Sequence, residues 1–355
     1  MYKRRASALL LFGLLACGPV PVSHLSTEDV EMRFFYGNLH SHTSYSDGTG
    51  LPRDAFSWAR DSVGYDFYAI TDHAELLTEV EWQDIGEQAT SFTENGRFIA
   101  LRGFEYTNYL FGHINVFNTE TYTSFFKHPS LTGFYRWLGV QDNALASFNH
   151  PGSPLFAFRH IEIPDNLKTK MFGMETGNGY NRNISNLFIP LYANNLRYGQ
   201  YLAPVYNMDN HTFTENGCRT VVLATELTRE AILEALRARR VYAADNPEAK
   251  VAFKCNGQWM GSRITSEAET IHCTVTASDV RPITQIHIVS SSGEQRRFLF
   301  NKEYRASLEL DLTVMESTYF YVKVFGKESY RDGPSELMSI TAPIWVDKLN
   351  SEQIN

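Results

Sequence analysis

The chain is short of positive charge. Its 355 residues carry 32 Lys and Arg against 40 Asp and Glu, a formal net charge of −8. Sequence-independent binding to nucleic acid needs clustered Lys and Arg, so this balance argues against such a partner and against a nuclease. Long apolar runs are also missing. The longest N-terminal one, residues 6–16, falls well below the ~20 residues a membrane-spanning helix needs. No internal repeat and no low-complexity tract is present. Cysteines number four: Cys17, Cys218, Cys255 and Cys273. What is left is an ordinary globular balance, 43% hydrophobic and 20% charged. The length favours two domains and allows one of ~200–250 residues.

The N-terminus reads as a targeting segment. Lys3-Arg4-Arg5 precedes the short apolar run, and Leu14-Leu15-Ala16-Cys17 resembles a bacterial lipobox with Cys17 as the lipidated residue. The expectation is a signal peptide over 1–17, a tether over 18–32 and an exported, membrane-anchored lipoprotein. A plain secretory signal is the alternative, and it also exports the chain. Export permits a disulfide, and with Cys17 lipidated three cysteines remain. Cys255 and Cys273 fall in neighbouring strand-like segments and can pair; three free buried thiols is the other reading.

The rest is organised around Asn38-Leu39-His40-Ser41-His42-Thr43 and Thr71-Asp72-His73. Two histidines one residue apart on a strand end point the same way, ready to share an ion. Strand-like runs alternate with helical ones up to Asn246: strands near 33–36, 65–70, 97–102, 114–117, 144–148, 170–175, 203–206 and 221–224, and helices near 79–92, 132–138, 184–198 and 228–240. That rhythm predicts an α/β barrel or layered sheet over 33–246. After Asp245-Asn246-Pro247 the segments become short strands: 251–255, 270–277, 285–290, 307–312 and 319–325. Their spacing predicts a β-sandwich over 247–347, followed by a tail over 348–355.

Candidate metal ligands fall at successive strand ends or starts: His40, His42, Asp47, His73, Glu105, His113, His150, Asp209 and His211. Six of the 11 histidines belong to this set. The others, His24, His128, His160, His272 and His287, read as tail, loop or surface residues, with His160 able to face the site. Mixed imidazole and carboxylate donors suit Zn, Mn or Fe. Metals of this kind activate a water for attack on phosphorus or a carbonyl carbon.

In order, His-x-His-x₄-Asp, Thr-Asp-His, Gly-x-Glu, an isolated His, Asn-His-Pro and Asp-x-His resemble the polymerase and histidinol phosphatase (PHP) family over about residues 34–242. The resemblance implies a distorted seven-stranded (β/α) barrel with a two- or three-metal site. It implies that His40, His42, Glu105 and Asp209 hold one ion, that Glu105 bridges to a second held with His113 and His150, and that Asp47, His73 and His211 hold a third. Some members have His where this chain has Asp47. Residues 226–242, the sandwich and Ala342-Pro343-Ile344-Trp345-Val346 further resemble the exported carbaryl-hydrolase-like (CehA/McbA) branch.

Around this set, Asp72 is expected to orient His73, and His211 to protonate the leaving oxygen. Arg159, Asn178 and Arg182 are candidate substrate contacts, the arginines as clamps for a phosphate or carboxylate. Tyr106, Tyr109, Phe111, Phe156, Phe158 and Tyr180 are candidates for an aromatic pocket, although packing accounts for most such residues. The leading expectation is a metal-dependent phosphoesterase with two or three divalent transition metals, acting on a small organic phosphate. A carboxyl or carbamate ester or amide hydrolase on the same site is the alternative. A non-catalytic surface binding protein is the alternative of another class.

Overall fold

The computed structural model describes residues 31–153, 157–179, 188–327 and 336–349. The lipobox with Cys17, Arg182, Phe156, Tyr180 and nearly all of the expected tether lie outside the described residues. From Met32 onward the chain forms one compact unit. It is a mixed α/β structure in which sheet predominates.

The first part alternates as its sequence does. β1 (Arg33–Asn38) leads to α1 (Pro52–Ser57), which opens on proline at its first turn and runs into a wider π-type turn ended by Gly64. β2 (Phe67–Ile70) precedes α2 (Glu79–Phe92). Thr78 caps α2 by accepting from the Glu81 amide, and the Glu81 carboxylate returns to the Thr78 amide. There follow β3 (Ile99–Tyr106), β4 (Ile114–Phe117), α3 (Leu131–Gly139), β5 (Leu145–Phe148), β6 (Met171–Asn178), α4 (Phe188–Arg197) and β7 (Ala203–Asn207). Then come β8 (Arg219–Ala224), α5 (Arg229–Arg237, capped by Thr228) and β9 (Val241–Ala244).

β1 to β7 pair in chain order. β1–β2, β2–β3, β5–β6 and β6–β7 are parallel, while β4 is antiparallel to both neighbours. The loops after β1 and β7 meet at a parallel bridge between Ser41 and Asn210. The ends that carry His40, His42, Asp209 and His211 are therefore neighbours. β8 lies antiparallel on the other side of β1 and pairs with β9. Strand interiors such as Phe67–Ile70 and Ile114–Phe117 are buried throughout, as expected where both faces of a sheet are covered. At Gly37 the β1–β2 approach leaves no room for a side chain: a Cβ would sit 2.3 Å from the Phe67 carbonyl oxygen.

The second part holds β10 (Lys250–Cys255), β11 (Gln258–Trp259), β12 (Arg263–Ser266), β13 (Thr270–Ser290), β14 (Gly293–Thr313), β15 (Thr318–Gly326), β16 (Glu336–Thr341) and β17 (Ile344–Lys348). The evenly spaced short strands expected here are replaced by two long ones. Segments 270–277 and 285–290 join into β13, and 307–312 belongs to β14; each long strand has 21 residues. Register shifts near Ser278, Ile283 and Ile288 let the pair bend without parting. One half of β13 also pairs with β10 and the other with β15, so a single strand serves two neighbourhoods. Cys255 and Cys273 are cross-strand partners and form a disulfide; Cys218 is free and buried.

The expected boundary at Asn246 falls between β9 and β10, but pairing crosses it. β16 lies antiparallel on β9, and the Arg281 guanidinium pairs with buried Asp245. His287, read as a surface residue, is 8% exposed and pairs with Glu294.

Candidate metal centre

Backbone clamps set the His40–His42 segment. The Leu39 amide donates to Asn207 Oδ1 (3.0 Å), the Ser41 amide to Thr71 Oγ1 (3.1 Å) and the His42 amide to the Asn210 carbonyl (2.8 Å). Both imidazoles are buried, with ring centroids 5.2 Å apart. Their Nε2 atoms are orphans. His40 Nε2 lies 3.3 Å from Glu105 Oε1 and 3.2 Å from Asp209 Oδ1. His42 Nε2 lies 3.1 Å from Asp209 Oδ1 and 3.6 Å from Glu105 Oε2. Neither atom makes a hydrogen bond.

Glu105, at the end of β3, is the hub. Its Oε1 accepts from Asn149 Nδ2 (2.7 Å) and lies 3.2 Å from His113 Nδ1 and 3.4 Å from His150 Nε2. Its Oε2 lies 3.1 Å from His73 Nδ1. Asp47 is half exposed at the rim, with Oδ1 3.2 Å from His211 Nε2 and Oδ2 3.6 Å from His73 Nε2. Two of the histidines share an orientation. Nδ1 of His150 donates to the Ser153 carbonyl (3.0 Å) and Nδ1 of His211 to the Asp209 carbonyl (2.8 Å). Each is thereby left with Nε2 turned to a carboxylate of the set.

The electrostatics are those of a site built for cations. Burial would depress His40, but Asp209, Glu105 and Glu175 hold its pKa well above the usual value. Burial likewise opposes His42, and Asp209 with Glu105 raises it. His150 is pushed up to about 9, again against burial, chiefly by Glu105. His73 goes the other way, to about 4, through burial outweighing Glu105, with His42 adding repulsion. Glu105 and Asp209 are themselves held low: burial opposes this, and the surrounding imidazoles overcome it.

The structure brings all nine expected residues into one cluster. Their ligand atoms fall into four overlapping groups, each within 4.8 Å: His42, Asp47, His73 and His211; His40, Glu105 and His150; His40, His42 and Asp209; His73, Glu105 and His113. The grouping differs in detail from the one implied by the resemblance. His40 joins Glu105 and His150, His113 sits with His73, and His42 joins the outer group. The inward Nε2 atoms of His40 and His42 beside carboxylates, with His40 Nδ1 engaged outward by Glu175, make a donor set that suits a divalent metal.

Several supporting roles differ from expectation. Asp72 does not touch His73. It accepts from the Thr43 amide (2.7 Å), the Thr43 hydroxyl (2.7 Å) and the Ser46 hydroxyl (2.6 Å), so it fixes the turn that carries Asp47. His73 Nδ1 is met instead by Thr107 Oγ1 at 2.6 Å. His211 Nδ1 donates to the Asp209 carbonyl and its Nε2 faces Asp47, a position that fits a ligand. Asn178 donates to Glu175 Oε2 (2.8 Å) and Asp209 Oδ2 (3.3 Å), so it steadies a ligand. Arg159 is exposed, and its carbonyl accepts from Asn194. Tyr106 and Phe158 are buried in the core, whereas Tyr109 and Phe111 are 67% and 40% exposed. A cavity of about 840 Å³ is lined by Phe111, Tyr135, Arg136 and His160, and by none of the nine.

Sequence reasoning missed Glu175 and Asn149. Glu175 is a lone acid in the apolar strand Met171-Phe172-Gly173-Met174, and a buried charge in such a run demands partners.

No family model matches the chain. An uncharacterized protein of Chlamydia pneumoniae is 21% identical over 380 residues, covering 90% of this chain and 58% of its own length. The chain thus spans little more than half of that relative. A solved two-domain protein of Bacteroides vulgatus, described as containing a predicted PHP-like metal-dependent phosphoesterase, is 18% identical; 88% of this chain and 96% of that one are covered, with a TM-score of 0.49. A CARDB domain from Pyrococcus furiosus, solved with di-metal ions, is 9% identical over 29% of this chain and 96% of its own, with a TM-score of 0.20. Likenesses this distant leave the functional reading to the site's own geometry.

Proposed function

We propose that the chain is an exported, metal-dependent hydrolase of PHP type, acting as a phosphoesterase on a small organic phosphate. The observation that carries this reading is the convergence of nine donor residues on one cluster, with the Nε2 atoms of His40 and His42 buried, unpartnered and facing carboxylates. Imidazole and carboxylate donors in this number suit two or three ions of Zn, Mn or Fe. When bound, such ions supply the positive charge that acidifies water and draws off charge developing on a phosphate oxygen. The protein's own residues do the rest. Asp72 holds the turn of Asp47, Asn149 aims Glu105, and Asn178 aims Asp209. Half-exposed Asp47, beside the mostly buried His73, leaves the cluster open to a substrate on the rim side.

The N-terminal basic triplet, apolar run and Cys17 support a lipid-anchored location, and Cys17 is the residue we propose is modified. The strand pairing from β1 to β7 supports a PHP barrel, and β10 to β17 a sandwich-like second part. A second reading, hydrolysis of a carboxyl or carbamate ester, draws on Tyr109, Leu110 and Phe111. These are exposed apolar residues in the loop between Glu105 and His113, suited to an apolar acyl or aryl group.

The test is metal analysis by mass spectrometry with phosphate and aryl-ester panels on the same sample. Two or more transition-metal ions per chain and turnover of phosphomonoesters or diesters are expected. Metal-loaded protein inert on both panels refutes the hydrolase reading, and turnover of aryl esters alone selects the second.

A further inference from the structure

One buried carboxylate lies outside the nine. Glu175 in β6 has no exposed surface. Its Oε1 accepts from Asn207 Nδ2 (3.1 Å) and lies 2.9 Å from His40 Nδ1. Its Oε2 accepts from the His150 amide (2.7 Å) and Asn178 Nδ2 (2.8 Å). The Asn207 side chain cannot be turned round, because its Oδ1 accepts from the Leu39 amide and the Thr220 hydroxyl. Surrounded by donors, Glu175 only accepts. His40 Nδ1 must then carry the hydrogen, so His40 Nε2, the orphan atom of the cluster, is the nitrogen that can offer a lone pair to an ion.

Three ligand positions therefore hang on one side chain. His40 is held through its ring, and His150 through its backbone, which sits at φ +28°. Asp209 is held through Asn178, which bonds Glu175 with one contact and Asp209 Oδ2 with another. We propose that Glu175 is the positioning residue of the metal centre: it fixes the His40 tautomer and holds His40, His150 and Asp209 in register for shared ions. This rests on the metal reading of the preceding subsection. Asp47, His73 and His211 make none of these contacts, so they serve as an internal control.

Glutamine is the informative substitution. It has the shape of glutamate, but its NH₂ faces two donors whichever way it turns, so one side of the network must break. The experiment is zinc titration by calorimetry on metal-free full-length protein, with circular dichroism to verify folding and the visible spectrum of the cobalt-loaded form. For Glu175→Gln we expect zinc affinity at the His40-dependent positions to fall about ten- to hundredfold. Binding at Asp47, His73 and His211 persists, and the cobalt spectrum changes. Glu175→Asp, still acceptor-only, recovers part of the loss. Should Glu175→Gln fail to fold, Asn178→Ala cuts only the link to Asp209 and is expected to weaken zinc severalfold. Wild-type affinity in Glu175→Gln, or in both other variants, overturns the proposal. A wild-type chain that takes up no zinc overturns the metal reading itself, which is a different result.

Discussion

Removing His42 should erase the thermal stabilisation conferred by ions that depend on its imidazole. His42 belongs to two of the four donor groups, the outer one with Asp47, His73 and His211 and the inner one with His40 and Asp209. An ion present at a hundred times its Kd stabilises the fold by about 2.7 kcal/mol. A folded unit of roughly 300 residues has an unfolding entropy of about 0.6 kcal/mol/K, so each ion should raise Tm by about 4 °C. If the loss of an imidazole weakens binding about a hundredfold, the same zinc concentration contributes only ~0.4 kcal/mol, less than about 1 °C. The assay is thermal denaturation of chelator-stripped His42→Ala and wild type across a zinc titration, each referred to its own metal-free Tm. That reference cancels whatever the truncation costs in packing. A His42→Ala chain that keeps the full zinc-dependent rise would refute the reasoning.

Metal uptake should also release protons. His150, pushed up to about 9, is protonated at pH 7, so an ion must displace that proton and affinity should climb as pH rises toward 9. Calorimetry in two buffers of different ionisation enthalpy reads this directly; equal heats would count against it. For the metal-free chain, the folded pKa of His150 lies above its unfolded value of about 6.5. Its contribution to stability is then complete below that value and lost as pH rises through 9, so denaturation midpoints should fall over this window. Opening the Cys255–Cys273 disulfide, which closes a loop with sequence separation 18, should cost about 3 kcal/mol, read as a lower urea midpoint under reductant. Gly48→Ala would place a Cβ 2.4 Å from the His42 carbonyl oxygen and should displace the turn of Asp47. The expected result is loss of one ion per chain by mass spectrometry, with the inner ions retained.

The nine-residue set was legible because each member sits just past or just before a strand, where a residue type stands out against an apolar run. Its groupings were not, because they depend on how neighbouring loops are clamped. Asp72 shows this: adjacency to His73 suggested a contact, but the side chain turns toward Thr43 and Ser46, a segment 26 to 29 residues away. Glu175 went unread because strand alternation says nothing about donors arriving from the segments of His40, His150 and Asn207. The long strand β13 was split in two by Asp279-Val280-Arg281-Pro282, which reads locally as a break. Register shifts there carry the pairing through, and Asp279 and Arg281 find partners in Asn246 and Asp245.

The pairing of β16 on β9 reaches back almost a hundred residues along the chain. During synthesis β9 emerges early and waits with half of its peptide groups unmet until residues 336–341 arrive. A fragment ending near Asn246 would leave that row permanently bare, a template for sticking to other chains. Trimming the chain to its first part would therefore yield aggregate, and expression trials should keep the last strands attached.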